Sequence, residues 1–337
     1  MIAVAALSAC SPLGSLGQSS DNPHRPADLD TGEGGGSEPA GDSSDPDPGG
    51  DLTLPSDGGL PLPLDECALP RPEWIHCDGF EGGDLTRWDA DTQAVGESRL
   101  LVATAGPSGQ SGNHALRLRV PAGRGGSGIN KTFTPAEYDI LYARWYVQFE
   151  PGFNLAAKNH GHGLHAGDRW SKGIAGIRPS GDDYFTMNVD YLPATATAPA
   201  RHYIYTYYRG MYMDCADPNG SCWGDNFPCM ISSNYCTRPE HKPTVWPPAI
   251  ETGRWYCIEL MVNAGTPAAS QASADGVLNL WIDGVEIGAW ASLWFRTTAT
   301  VKLNHFWLGL FHHDDTHSVE GQLFDHVVVS PTRIGCR

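Results

Sequence analysis

Residues Leu141 to Gly167 read LYARWYVQFEPGFNLAAKNHGHGLHAG. The first nine alternate: Leu141, Ala143, Trp145, Val147 and Phe149 point one way, and Tyr142, Arg144, Tyr146 and Gln148 the other. A period of two over that length is the mark of a half-buried β-strand. Its second face is unusual, with an arginine, two phenols and an amide where a solvent face would more often carry Lys, Glu, Thr or Ser. Pro151-Gly152 stops the strand. A loop follows, with Lys158, His160, His162 and His165 set among glycines. The pattern predicts the wall and lip of a binding cleft; it would also suit a partly exposed edge strand and its surface loop.

Ten further alternating segments surround this strand: Ser98–Thr104, His114–Val120, Gly128–Thr134, Tyr184–Leu192, His202–Tyr208, Trp255–Val262, Gly276–Ile282, Val285–Trp290, Val301–Phe311 and Gln322–Val329. Gly, Pro, Asn and Asp turns separate them, and no window has convincing helical periodicity. Asp283-Gly284 is a two-residue hairpin signal. The whole predicts an all-β sandwich or jelly roll.

The chain has 337 residues and a net charge of −17, which argues against a nucleic-acid partner. Residues 1–66 hold 12 acids against Arg25 alone, so the remaining 27 acids and 21 bases leave the rest of the chain only mildly acidic. Residues 11–66 are Gly, Ser, Asp and Pro with scarcely a large apolar side chain, the composition of a disordered tether. Folded structure is expected over residues 67–337, as one domain. No apolar run reaches the roughly 18 residues of a membrane helix. Met1–Cys10 ends in Leu7-Ser8-Ala9-Cys10, which resembles a bacterial lipobox and predicts a lipid anchor on Cys10. Eight further cysteines form an even set: Cys67, Cys77, Cys215, Cys222, Cys229, Cys236, Cys257 and Cys336. Four of them stand seven apart in a segment of loop composition, without the Cys-x-x-Cys pairs of a zinc knuckle. They predict four disulfides, an insertion stapled by some of them, and an exported protein; with the lipobox the expected place is a bacterial cell surface or outer membrane, and the expected state a monomer.

The run Tyr142–Asn154, YARWYVQFEPGFN, resembles a strand of the glucuronan lyase and short alginate lyase families, concanavalin-like β-jelly-roll enzymes. There the strand ends F-x-x-G-F-(D/N) and continues into a loop K-G-G-K-L-P-G-L. Laid without gaps, that loop falls on residues 157–164, where only Gly163-Leu164 is identical. Gly253–Glu259, Asp275–Gly284 and Phe324–Ser330 are similar to segments that recur across concanavalin-like domains. The resemblance implies the jelly roll, and a polysaccharide lyase acting on an acidic polysaccharide that contains uronic acids. The second lysine of the family loop lies in the cleft, and its position here is His160. The family's Tyr-x-Tyr pair has its counterpart in Tyr203, Tyr205 and Tyr207.

β-Elimination requires the sugar carboxylate to be neutralised, the C5 proton removed and the departing oxygen protonated. On the alternation and the resemblance together, Arg144 is expected to meet the carboxylate, His160 to act as base and Tyr205 as acid. Gln148, Lys158, His162, Asn188, Tyr203 and Tyr207 are expected to bind substrate. His160-x-His162-x-x-His165 offers a transition-metal alternative, though a solvated loop is the commoner state of such a run. His312-His313-Asp314-Asp315-Thr316-His317 has the ingredients of a metal site or a cleft edge. The resemblance also suggests a structural calcium ion between Asp78 or Glu81 and Asp325, all hard oxygen donors. A non-catalytic carbohydrate-binding module would keep the tyrosines and the tether but need no proton-transfer group. Glycoside hydrolysis ranks third, because no strand carries two acids on one face.

Overall fold

The computed structural model describes residues 62–69, 71–89, 99–123, 125–135, 138–172, 176–212, 224–230, 239–243, 245–312 and 318–337. Cys10, residues 11–61, Cys215, Cys222, Cys236 and residues 313–317 lie outside them, and with them the lipobox, most of the tether and much of the second histidine cluster. The strands are β1 (His76–Asp78), β2 (Arg99–Thr104), β3 (Asn113–Val120), β4 (Gly125–Thr132), β5 (Ile140–Phe149), β6 (Asn159–His160), β7 (His162–Gly167), β8 (Tyr184–Leu192), β9 (Arg201–Tyr207), β10 (Asp225–Phe227), β11 (Trp255–Asn263), β12 (Gly276–Ile282), β13 (Val285–Leu293), β14 (Leu303–His312) and β15 (Glu320–Ser330). One short helix, α1 (Arg169–Lys172), follows β7. Among the described residues no helix is long and apolar enough to cross a membrane.

The strands form two antiparallel sheets. The first runs β13-β12-β11-β5-β15-β3-β2, with β1 also on β15; the second runs β10-β9-β8-β7-β14-β4, with β6 also on β14. This is a jelly-roll sandwich, and all eleven expected strands are present. Asp283 and Gly284 turn β12 into β13 with φ of 51° and 81°, as an Asp-Gly hairpin turn requires.

The core lies between the sheets and is made by the alternation. Leu141, Ala143, Trp145, Val147 and Phe149 of β5 are fully buried in it. Trp145 reaches across to Phe306 of β14, ring centroids 5.7 Å apart, and to His162 of β7, 5.1 Å apart. β6 and β7 correct the expected histidine loop, because they are paired strands inside the second sheet. Glycine disguised them. A Cβ on Gly163 would stand 1.9 Å from the Met187 carbonyl oxygen, so only glycine lets β7 lie this close to β8.

The other face of β5 is covered by both ends of the described chain. Leu62 packs with Tyr146 and Cys257, and the Tyr146 hydroxyl donates to the Arg337 carbonyl at 2.8 Å. Disulfides Cys67–Cys77 and Cys257–Cys336 pin these ends, and Cys229 is disulfide-bonded as well. Leu62 and Glu66, placed in the tether by composition, are therefore built into the folded unit.

Candidate active site

The outward face of the second sheet carries the candidate site. On β8, Phe185, Met187, Val189 and Tyr191 enter the core, so Thr186, Asn188 and Asp190 face out. On β9, Ile204 enters the core and Tyr203, Tyr205 and Tyr207 form the outward row. Register sets Asn188 opposite Tyr205 and Asp190 opposite Tyr203. The row is tight: the Tyr205 and Tyr207 hydroxyls are 2.8 Å apart, and the Gly224 N–H donates to Tyr205 Oη at 3.0 Å. His160, opposite Phe311 across β6 and β14, stacks on the Tyr205 ring at 5.3 Å and 20°.

His160 is held by Asp190. Its Nδ1 is 2.7 Å from Asp190 Oδ2, while Asp190 Oδ1 accepts from the Gly161 N–H, also at 2.7 Å. An ionised carboxylate only accepts, so Nδ1 carries the proton and Nε2 is the nitrogen that can exchange one with substrate. Burial alone would lower the His160 pKa, but the charge and hydrogen bond of Asp190 outweigh it and hold the pKa above the ordinary value. Burial, with Tyr207 adding to it, pushes the Tyr205 phenol far above its usual range. Tyr205 thus stays protonated at any working pH.

A cleft of about 530 Å³ opens over these groups. Lys158, His160, Arg201, Tyr203, Tyr205 and Trp246 are among its lining residues. The Arg201 guanidinium lies 5.6 Å over the Trp246 ring, which is 53% exposed, and donates to the Pro247 carbonyl. No Asp or Glu is among the described lining residues, in a chain of net charge −17. Beside the cleft on the same sheet face, the amide oxygen of Asn188 accepts from His165 Nε2 at 2.8 Å. His165 in turn stacks on His305 at 5.7 Å. Burial lowers both pKa values, that of His305 to about 4, so this second pair is neutral.

Of the expected site residues, the structure brings together His160, Tyr205, Lys158, Asn188, Tyr203 and Tyr207. It separates the other three. Arg144 is 0% exposed on the far face of the first sheet, paired with Glu66. Gln148 shares that face and donates to the Gly253 carbonyl at 3.0 Å. His162 points into the core between Trp145 and Phe324, its pKa lowered to about 3 by burial, with nearby His202 adding to the effect. Because His162 and His165 leave β7 on opposite faces, the three loop histidines do not converge on a metal. His312 is buried with Nδ1 3.2 Å from the Gly123 carbonyl oxygen. Asp190, Arg201 and Trp246 were not picked out by sequence reasoning; Asp190 could have been, since it shares the strand face of Asn188 two residues on.

Among the described residues no group of three or more His, Cys, Asp or Glu could hold a metal. The candidate calcium acids divide. Asp78 accepts from the Phe80 N–H and the Trp88 indole N–H, and so braces a turn. Asp325 is pushed up to about 7 by burial, and the Glu81 charge adds to that. Asn113 donates to Asp325 at 2.7 Å, while its own amide oxygen is buried without a hydrogen-bond partner. Glu81 accepts from the His114 N–H at 2.7 Å, Asp325 Oδ1 accepts from the His326 N–H at 2.6 Å, and the orphaned Asn113 oxygen is the hard donor still open to a calcium ion.

No protein-family model matches this chain, and no curated protein matches it in sequence. Its fold is that of β-jelly-roll polysaccharide lyases. The alginate lyase vAL-1 from Chlorella virus superposes with a TM-score of 0.50 at 13% identity, covering 76% of this chain and 99% of that one. The PL-14 alginate lyase from Aplysia kurodai gives 0.47 at 15% identity over 69% and 87%, and the endo-beta-1,4-glucuronan lyase from Trichoderma reesei 0.45 at 13% over 74% and 93%. At such identities the likeness establishes the fold, and the chemistry is argued from this chain's own side chains.

Proposed function

We propose that the protein is a lyase that cleaves a uronic-acid-containing polysaccharide by β-elimination. The observation that carries this reading is His160, oriented by buried Asp190 and stacked on Tyr205, in a cleft whose described lining has cations and no acids. The alginate and glucuronan lyases that share the fold support an acidic polysaccharide as substrate. His160 Nε2 takes the C5 proton, and Asp190 stabilises the imidazolium that results. Tyr205, protonated throughout, donates to the leaving oxygen, with Tyr207 able to resupply it through the 2.8 Å hydroxyl contact. The task expected of Arg144 passes to groups on the correct face: Lys158 and Arg201 supply positive charge, and the Asn188 amide donates a hydrogen bond to the developing enolate. Tyr203 and Trp246 offer faces on which neighbouring sugars stack.

Incubation with glucuronan, polymannuronate and polyguluronate should raise absorbance near 235 nm as the unsaturated uronate forms. His160→Ala and Tyr205→Phe should each lower the rate by about 10²-fold or more. No rise on any of these polymers would leave a carbohydrate-binding module as the better reading. The proposal extends to calcium held by Glu81, Asn113 and Asp325, which predicts a higher Tm with calcium than with chelator. It extends also to export and anchoring through Cys10, for which mass spectrometry of the mature protein from its host should find a lipidated amino-terminal cysteine.

A further inference from the structure

The cysteine-bearing segment, residues 215–236, lies outside every stretch that resembles the lyases, yet it delivers the edge strand β10 to the cleft. β10 is firmly seated. Phe227 is 0% exposed in the core against Tyr208 and Trp290, Asp225 accepts from the Tyr208 hydroxyl at 2.8 Å, and the Cys229 N–H donates to the His241 carbonyl at 2.6 Å. With Asp225 and Phe227 turned inward, strand parity turns Asn226 outward, and it lines the cleft. Register sets Tyr205 between Asn188 of β8 and Asn226 of β10. The same segment reaches Tyr205 directly, through the Gly224 N–H on Tyr205 Oη at 3.0 Å.

Asn226 is only 4% exposed, yet among the described residues its amide has no hydrogen-bond partner, and neither amide atom is sealed away from the cleft. A nearly buried amide left unpaired is costly, which favours a site where a ligand supplies the partners. The amide's own chemistry selects them. An open N–H donor beside an open oxygen acceptor matches a hydroxyl, which accepts and donates, whereas a carboxylate only accepts and would face Oδ1 with another acceptor. His160 is held from the β8 side, through Asp190, so Asn226 stands across Tyr205 from the base. We infer that Asn226 binds a ring hydroxyl of the sugar seated against Tyr205 on the side away from His160. This rests on the polysaccharide reading of the site and makes the cysteine-bearing segment part of the substrate-binding wall.

Calorimetric titration of the full chain in a His160→Ala background tests this, because that change suppresses cleavage and leaves Tyr205, the register partner of Asn226, in place. The probes are tetramers of β-glucuronate and of mannuronate, each beside its carboxyl-reduced neutral counterpart. Asn226→Ala should weaken binding by about three- to tenfold, and by the same factor on an acidic tetramer and its neutral counterpart, since a hydroxyl contact does not depend on the carboxylate. Asn226→Ser, which can still donate and accept, should recover part of that loss, and both variants should melt where the parent does. An alanine loss below about twofold, or one confined to the acidic tetramer, overturns the inference. So does a loss that serine does not lessen, or that comes with a lowered melting temperature in both variants. Asn226-dependent binding of a tetramer by a protein that leaves every polymer uncut would uphold the contact while removing the lyase. Failure to bind any tetramer, acidic or neutral, would sink both.

Discussion

The chemistry turns on how one imidazole and one phenol are tuned. Tyr205 is buried and its pKa driven upward by that burial, so a tyrosinate base is not accessible and the phenol can only deliver a proton. The proton acceptor is then His160, and its pKa reflects two opposed effects, burial lowering it and Asp190 raising it by more. A base works deprotonated, so kcat/KM should rise with pH through a value above the ordinary histidine pKa. Asp190→Asn removes the raising cause and leaves burial. The folded pKa must fall, and the acid limb of the pH–rate profile should move to lower pH. Loss of the orienting carboxylate should also cut kcat by about 10²–10⁴, since the imidazole is then free to take the wrong tautomer. Profiles read at 235 nm decide the matter: an acid limb that stays where it was would show that His160 is not the titrating base. Because Asp190 also accepts from the Gly161 N–H, melting curves should accompany them, so that a loosened β6–β7 corner is not mistaken for lost chemistry.

At the scale of the element, β5 shows how a correct pattern can be given the wrong occupant. Its alternation places the core residues as expected, and its second face is as unusual as it looks. What lies on that face is the chain itself: Glu66 pairs with Arg144, and the Leu62 and Cys336 segments close over Tyr146 and Cys257. Nothing near Arg144 in sequence signals this, since Glu66 is 78 residues upstream in a stretch of tether-like composition. His160 came forward through its place in a family-like loop and Tyr205 through strand parity with the family's Tyr-x-Tyr pair, and the fold sets their rings together. Asp190 and β7 were less legible, because pairing across strands hides one and a glycine-rich sequence disguises the other. The placement of Arg144 has a consequence. Glu66→Gln leaves a buried guanidinium uncompensated and should cost about 3–5 kcal/mol in a denaturant titration. Under folding conditions near 25 °C the same variant should keep its kcat/KM within about twofold, because the second sheet bears the site. A large loss of kcat/KM in protein that remains folded would return Arg144 to the catalytic face and contradict the structure.

For the molecule as a whole, the histidines that do not meet substrate set its tolerance of acid. His76, His162 and His202 are buried, and burial holds their pKa values at about 3, 3 and 4. Each stays neutral in the fold below pH 6.5, whereas the unfolded chain takes up its proton there. Stability from these groups is therefore complete above about pH 6.5 and falls as the pH drops toward 4. Asp325, pushed up to about 7, works against them by one proton over the same range when no cation is bound. Asp78, raised by burial, joins Asp325, but the three histidines outnumber them, so unfolding takes up protons on balance, and the pair His165 and His305 beside the cleft adds in the same direction. Melting temperature measured from pH 7.5 to 5 should thus be flat at first and then fall steeply. His162→Leu isolates one contributor. The side chain faces Trp145 and Phe324, so an apolar residue of similar bulk fits the environment, and the fall should become shallower by about one proton. Activity at neutral pH should persist, because His162 faces the core and not the cleft. If the slope stays the same and the activity is lost instead, His162 belongs to the site after all, and the assignment of the β7 faces is wrong.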